Sequence, residues 1–328
     1  MMDSPTEQRI LVTGATGFIG RTLCPLLLGR GCRVRGTVRA SEPASALYPG
    51  VEPVVIEPLG PETSWSEALT NIDTIIHLAA RVHVMDDRAS DPLAEFRRVN
   101  TEGTGRLARE AAASGVRRLV FVSSIKVNGE ESATPYTENS PANPTDPYGI
   151  SKLEAEALLR RIEAETGLEV VVLRPTLVYG PGVKANFLNL MKVIQRGIPL
   201  PLASIANKRS LVYVGNLADA LAACAVHRHA GGKTYLVSDG EDVSTPELIR
   251  KIAASLGVPA RLFPMPVSLI RLAGAVTGKR AAVDRLAESL VVDGSGMASD
   301  LGWVAPFTMN EGLRATAEWF LGTRRINP

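Results

Sequence analysis

Three cysteines, Cys24, Cys32 and Cys224, are all that the 328 residues contain, and no two share a C-x-x-C spacing. An odd, scattered set excludes a disulfide framework and a cysteine zinc site, and it suits a reducing cytoplasm. Histidine is nearly as rare, with four. The one H-x-H pair, His227 and His229, falls near the end of an expected helix, where residues two apart point away from each other. No metal site is therefore expected. The sequence has no run of about 18 apolar residues, the length that spans a bilayer. Its nearest approach, PVSLIRLAGAV, is short and carries Arg271. The N-terminal MMDSPTEQ has an acidic residue and no apolar core, which is not a signal-peptide pattern. Charge of one sign is lacking too. Lys and Arg number 36 against 34 Asp and Glu, so neither nucleic acid nor a membrane is expected as a partner. A soluble, cytoplasmic protein is the expectation.

What is there is a chain with 45% hydrophobic residues, enough for a large core and, by length, about two domains. It opens on RILVTGATGFIGRTL: an apolar run at 10–12, glycines at 14, 17 and 20, then an amphipathic stretch at 18–28. Strand, glycine turn, helix is the context in which a G-x-x-G-x-x-G pattern predicts dinucleotide binding. One glycine takes backbone angles closed to other residues. Another lets the main chain approach a pyrophosphate on the helix N-terminus. Further strands are expected at 34–38, 54–56, 73–78, 118–122 and 169–173. Long helices are expected at 91–113 and 146–166, and a short one at 63–69 with Ser64 and Glu67 spaced as a capping box. This alternation predicts an α/β fold of the Rossmann type, a doubly wound parallel sheet. From about residue 181 the rhythm loosens into helices at 184–196, 216–228, 245–256, 267–276 and 282–290, with a strand at 234–237. The division expected is residues 1–180 as the dinucleotide-binding domain and 181–328 as a smaller α/β substrate-binding region, with chain crossovers between them.

Tyr148 and Lys152 lie four apart at the start of a long helix and so share a face. A neighbouring ammonium is expected to lower the phenol's pKa and make it an acid or base near neutrality. Ser123-Ser124 close a parallel strand at its carboxyl end, where such sheets place ligands. A hydroxyl there can bind the same oxygen that Tyr148 protonates.

GATGFIG, HLAA, the Val99-Asn100 pair, FVSS, YGISK and LRPTLVYGPG occur in this order, followed by NKRSLVYVGNLADA and LGWVAP. Together they resemble the extended short-chain dehydrogenase/reductase family, the group of nucleotide-sugar epimerases, dehydratases and reductases, over nearly the whole chain. The resemblance implies Ser124, Tyr148 and Lys152 as the catalytic triad. It implies a cofactor held by Gly14, Thr16, Gly17, Phe18, Ile19, Gly20, Arg39, Leu78, Ala79, Ala80, Asn100, Tyr148, Lys152 and Pro175. A UDP-sugar would meet Ser124, Lys126, Tyr148, Asn186, Arg209 and Arg280. It also implies a homodimer through helices 91–113 and 146–166.

Departures from the family pattern narrow the reaction. Val38-Arg39 stand where NAD-using epimerases carry an aspartate, and a guanidinium can hold an extra phosphate, so NADP(H) is expected over NAD(H). Ile125-Lys126 stand where sugar dehydratases carry Asp-Glu, so dehydration is not expected. Leu177 replaces an asparagine that in relatives helps hold the nucleotide diphosphate. SSIKVNGE looks like a subgroup that makes bacterial O-antigen sugars by C4 reduction of UDP-4-keto-6-deoxy-N-acetylglucosamine to UDP-N-acetylquinovosamine. That reduction is the expected reaction. A UDP-hexose 4-epimerase with tightly bound NAD is the alternative. A non-catalytic NADP-sensing protein is a third reading, opposed by the retained Ser124, Tyr148 and Lys152.

Overall fold

A computed structural model describes residues 8–82, 91–276, 278 and 280–326. In chain order the elements are β1 (Arg9–Thr13), α1 (Gly20–Gly29), β2 (Arg33–Arg39), β3 (Glu52–Ile56), β4 (Thr74–His77), α2 (Pro92–Phe96), α3 (Gly103–Ala113), β5 (Arg118–Val122) and α4 (Pro147–Thr166). Then follow β6 (Glu169–Pro175), β7 (Leu177–Tyr179), α5 (Ala185–Gln195), β8 (Arg209–Tyr213), α6 (Val214–Val226), β9 (Thr234–Val237), β10 (Asp242–Val243) and α7 (Thr245–Leu256). The last four are α8 (Val267–Val276), α9 (Arg280–Ala287), α10 (Ser295–Leu301) and α11 (Met309–Ile326).

Seven parallel strands form the main sheet in the order β3-β2-β1-β4-β5-β6-β9. Its strands are continuously apolar because both faces are covered. Along β1, Ile10 and Val12 enter the core under α1 and α6, while Leu11 enters the one under α3 and α4. Winding runs outward both ways from β1 and β4, so the crevice between their carboxyl ends is the switch point where such sheets bind ligands. A smaller sheet, β10-β8-β7, sits with α5, α7 and α11 around a third core that reaches back to Phe18 in the glycine loop. The chain crosses between the layers: β9, late in the sequence, returns to the main sheet beside β6.

The start of α4 is fixed locally. Asp146 caps it by accepting from the Gly149 amide at 2.7 Å, Pro147 fills the first turn, and Gly167 at φ 78° ends it. Between α2 and α3 the helical path continues through a π-helical segment, Arg97–Glu102. Such widened turns recur at functional sites, and this one contains Asn100. Gly105 lets α3 approach α4 closely, since a Cβ there would lie 2.4 Å from Leu158 Cδ2.

Two local expectations fail. Residues 63–69 form turns, not a helix. Ser64 meets Ser66, and the segment is set instead by fully buried Trp65, whose amide donates to Glu110 at 2.9 Å. Tertiary anchoring overrides the apparent capping box. His227 and His229 lie beyond the end of α6, so they do not diverge as on a helix; their rings meet edge to face at 5.5 Å. Strands β7, β8 and β10 and helices α10 and α11 are further elements that the sequence pattern did not single out. Among the described residues, no helix is long and apolar enough to cross a membrane.

Candidate active site

The glycine turn lies at the β1/β4 switch point. Gly14 has φ +68°, and a Cβ there would come within 3.0 Å of the Ala79 nitrogen. A Cβ on Gly20 would lie 2.5 Å from the carbonyl oxygens of both Gly14 and Ala15. Helix α1 starts at Gly20 without a side-chain cap. A bare, positive helix end under a side-chain-free turn fits a dinucleotide pyrophosphate. Because the clash at Gly20 is with backbone, Gly20→Ala has to reshape the turn. Dinucleotide affinity in titration calorimetry is expected to drop by about tenfold or more, worth about 1.4 kcal/mol.

A buried network ties this turn to the neighbouring strand. The Thr13 hydroxyl oxygen accepts from the Leu78 amide at 3.2 Å and the Ala79 amide at 3.1 Å. Its proton is therefore free for His77 Nδ1, 2.7 Å away, and the other ring nitrogen donates to Thr104 Oγ1 at 3.0 Å. The ring is neutral, its pKa pushed down to about 3 by burial and then by the Lys152 charge. Unfolding lets this histidine take up a proton near its ordinary pKa of about 6.5. Stability unaffected above that pH is then lost as pH falls towards 3, at up to about 1.4 kcal/mol per pH unit. His77→Gln is expected to flatten urea midpoints measured from pH 6.5 to pH 4. Neither His77 nor its threonines stood out in the sequence, although the HLAA motif contains the ring.

Asn100, expected at the cofactor, is turned inward. Its amide oxygen accepts from the Arg81 amide at 2.8 Å, and its nitrogen donates to Arg81 O and Ser151 Oγ, both at 3.0 Å. It holds the loop after β4 against α4. Leu78, Ala79 and Ala80 line that loop, and Pro175 closes β6 on the far side of the crevice.

Arg39 is also committed. Its guanidinium binds Glu42 at 2.7 Å, and its amide donates to the same carboxylate at 3.2 Å. Thr16 Oγ1, in the glycine turn, reaches Glu42 at 3.5 Å. The hydrogen bond from the Arg39 guanidinium, more than its charge, holds Glu42 below the usual carboxylate range. An anionic carboxylate thus stands between Arg39 and the turn, four residues beyond position 38, where an aspartate would be expected to meet the ribose. Arg35, close by, is spent on Glu52 and on the carbonyls of Glu67, Ala68 and Thr70.

The structure brings Ser124, Tyr148 and Lys152 together. Ser124 lies two residues beyond the end of β5, and its hydroxyl is hydrogen-bonded to half-buried Tyr148. Lys152 Nζ donates to Val122 O at 2.8 Å and lies 4.4 Å from the Phe121 ring centroid and 5.9 Å from that of Tyr148. The expected lowering of the phenol's pKa does not occur in this state. Burial raises it well above 10, the negative charge of Asp146 adds to that, and the bond to Ser124 opposes both. Lys152 is itself pushed down to about 7 by burial, with Glu156 acting the other way. Desolvation favours the neutral form of each partner, so the phenol is held as an acid.

Lys126 does not point freely at a substrate. It is ion-paired with Asp146 and, at 2.7 Å, with Glu130. Next to this cluster opens a cleft of about 300 Å³, lined by Glu130, Asn143 and Thr145 and by Asp284, Arg285 and Glu288. Arg209 donates to the carbonyls of Arg285 at 2.8 Å and Glu288 at 3.1 Å, at the end of α9. Asn186 is exposed on the first turn of α5. Arg280 opens α9, but its side chain lies outside the described residues.

A Rossmann sheet with a glycine turn at its switch point and a Ser-Tyr-Lys group beside it defines a dinucleotide-dependent enzyme of the short-chain dehydrogenase type. The chain belongs to the NAD dependent epimerase/dehydratase family, whose model matches residues 10–238. It is 43% identical to a UDP-glucose 4-epimerase of Vibrio cholerae over 97% of both chains. It is 28% identical to the N-acetyl-alpha-D-glucosaminyl-diphospho-ditrans,octacis-undecaprenol 4-epimerase of Escherichia coli O157:H7, over 95% of each. Among solved structures, MoeE5 in complex with UDP-glucose and NAD is similar with a TM-score of 0.75 at 28% identity, covering 98% of this chain and all of that one.

Proposed function

We propose that the protein is an NAD-dependent 4-epimerase of a UDP-hexose or UDP-N-acetylhexosamine. The observation that carries this reading is the Arg39–Glu42 pair: a neutralised arginine with a carboxylate facing the glycine turn suits ribose hydroxyls better than a 2′-phosphate. The extra-phosphate role expected for Arg39 loses its support, and the preference for NADP(H) goes with it. The 43% identity to the Vibrio cholerae epimerase points the same way.

Gly14, Gly17 and Gly20 with the start of α1 would hold the pyrophosphate, Glu42 the adenosine ribose, and Lys152 the nicotinamide ribose. When bound, NAD supplies the two-electron oxidation and re-reduction of sugar C4. The chain's own groups handle the proton. As the phenolate, Tyr148 Oη takes it from the sugar 4-hydroxyl as the ketone forms, and the resulting phenol returns it to O4 when the opposite face is reduced. Ser124 holds that oxygen in line, and Lys152 in its ammonium form favours the phenolate during the first half. Ile125 and Lys126 offer no acid-base pair for eliminating water, and Lys126 is already occupied. The homodimer through α3 and α4 belongs to the same proposal, with light scattering as its check.

The test is interconversion of UDP-glucose and UDP-galactose, or of their N-acetylamino counterparts, by protein purified through gel filtration with no cofactor added. Turnover with NAD co-eluting supports the epimerase. The SSIKVNGE stretch favours the C4 ketoreductase as a second reading. No interconversion, with NADPH or NADH consumed on UDP-4-keto-6-deoxy-N-acetylglucosamine, overturns the first reading in favour of that one.

A further inference from the structure

One turn beyond Lys152 on α4 lies Glu156, a carboxylate that the proton chemistry above does not use. Buried carboxylates need partners, and this one has them on two strands. Arg174, at the end of β6, grips it with both edges of its guanidinium, Nε at 3.0 Å and a terminal nitrogen at 2.5 Å. Ser123, the residue before the catalytic serine, donates its hydroxyl to the same carboxylate. Arg174 also donates to Asn128 Oδ1 at 3.1 Å, and the Asn128 amide donates to Ser140 O at 3.1 Å. Glu156, Arg174, Asn128 and Ser123 are all buried. The network therefore joins the end of β5, the end of β6, the turn after Ser124 and the segment leading into α4.

We propose that Glu156 is a positioning residue: clamped by Arg174 and Ser123, it fixes α4 against β5 and β6 so that Tyr148 meets Ser124, and it presents a fixed negative charge to the Lys152 ammonium. Its effect runs through Lys152, with which it shares a helix face at i, i+4. Among the described residues, few titratable groups face Lys152. From α4 they are Glu156 and Tyr148, from β4 the neutral His77; β5 offers the Phe121 ring and the Val122 carbonyl. Burial drives the lysine towards its neutral form, and Glu156 acts against that. Removing Glu156 takes away the negative charge that offsets burial and leaves only the Val122 carbonyl and the Phe121 ring, among the described residues of these elements, to favour the ammonium. The inference rests on the reading of Tyr148 and Lys152 as the acting pair, but its test does not depend on the sugar.

The test titrates Lys152 directly, in the ligand-free chain, by carbon NMR of ε-labelled lysine with the signal assigned through Lys152→Arg. Wild type is expected to titrate at about 7. In Glu156→Gln the midpoint is expected to fall by about one pH unit or more, the size of shift a nearby charge produces. Glu156→Asp keeps the charge and is expected to titrate near wild type. Glu156→Gln leaves Arg174 buried without its counter-ion and could fail to fold. Glu156→Gln/Arg174→Gln removes both charges, the kind of exchange that proteins tolerate, and is expected to titrate low as well. The same downward move is expected in the alkaline limb of the kcat profile. An unshifted Lys152 titration in either folded glutamine variant overturns the proposal. Absence of epimerase turnover in wild type, with the titration still shifting, overturns the functional reading and leaves this inference standing.

Discussion

Tyr148→Phe is expected to lower kcat by roughly 10²–10⁴, the range that a positioned acid-base group contributes. The ring remains, so its edge contact with Phe96 at 6.1 Å and the fold around α4 are kept. Only the hydroxyl hydrogen-bonded to Ser124 is lost. Dinucleotide affinity is expected to stay within a few-fold of wild type, so the defect lies in kcat and not in cofactor binding. Steady-state turnover beside calorimetric cofactor titration separates the two. Retained turnover would show that another group moves the O4 proton, with Ser124, the hydrogen-bond partner of the lost hydroxyl, the first to test.

Lys152→Met is expected to abolish turnover and, at the same time, to stabilise the ligand-free chain. Lys152 titrates at about 7 in the folded protein against 10.5 in the open. Below pH 7 both states are protonated and the fold carries the full cost of the buried ammonium. Between pH 7 and 10.5 the unfolded chain holds the extra proton, so wild-type stability climbs with pH. At pH 7 the cost is at most about 4 kcal/mol, at about 1.4 per pKa unit. The lost bond to Val122 O and the lost ring contact with Phe121 return about 1–2 kcal/mol of that. A rise of a few degrees in Tm at neutral pH is the expected net result, vanishing as pH approaches 10. A lower Tm at pH 7 would mean that Lys152 sits in a wetter, better-paired site. Functional groups that cost stability are the usual sign of a site built for chemistry.

These expectations divide between what the chain spells out and what the fold decides. Local pattern sufficed for the glycine turn, because Gly14 and Gly20 answer to short-range clashes with their own loop and the adjoining strand. It sufficed for α4, whose Asp146-Pro147 start and Gly167 end are local devices, and hence for the shared face of Tyr148 and Lys152. Patterning failed where a distant partner sets the conformation. Trp65, pinned by Glu110, turned an apparent capped helix into turns. The phosphate role expected of Arg39 lost its support for a related reason: the composition of one strand end says what a guanidinium could bind, and the fold sets Glu42 beside it.

The sequence by itself determined a doubly wound dinucleotide-binding enzyme with a Ser-Tyr-Lys group, since apolar periodicity, glycine spacing and an i, i+4 pair are properties of neighbours in the chain. Only the tertiary structure decided the protonation of that group. Whether Tyr148 is held as an acid, Lys152 near neutrality and His77 uncharged depends on how far each is taken out of water. It also depends on which charges, Asp146 and Glu156 above all, are brought alongside. Desolvation is set by packing and no spacing in the sequence encodes it, although helix spacing already places Asp146 and Glu156 beside the pair.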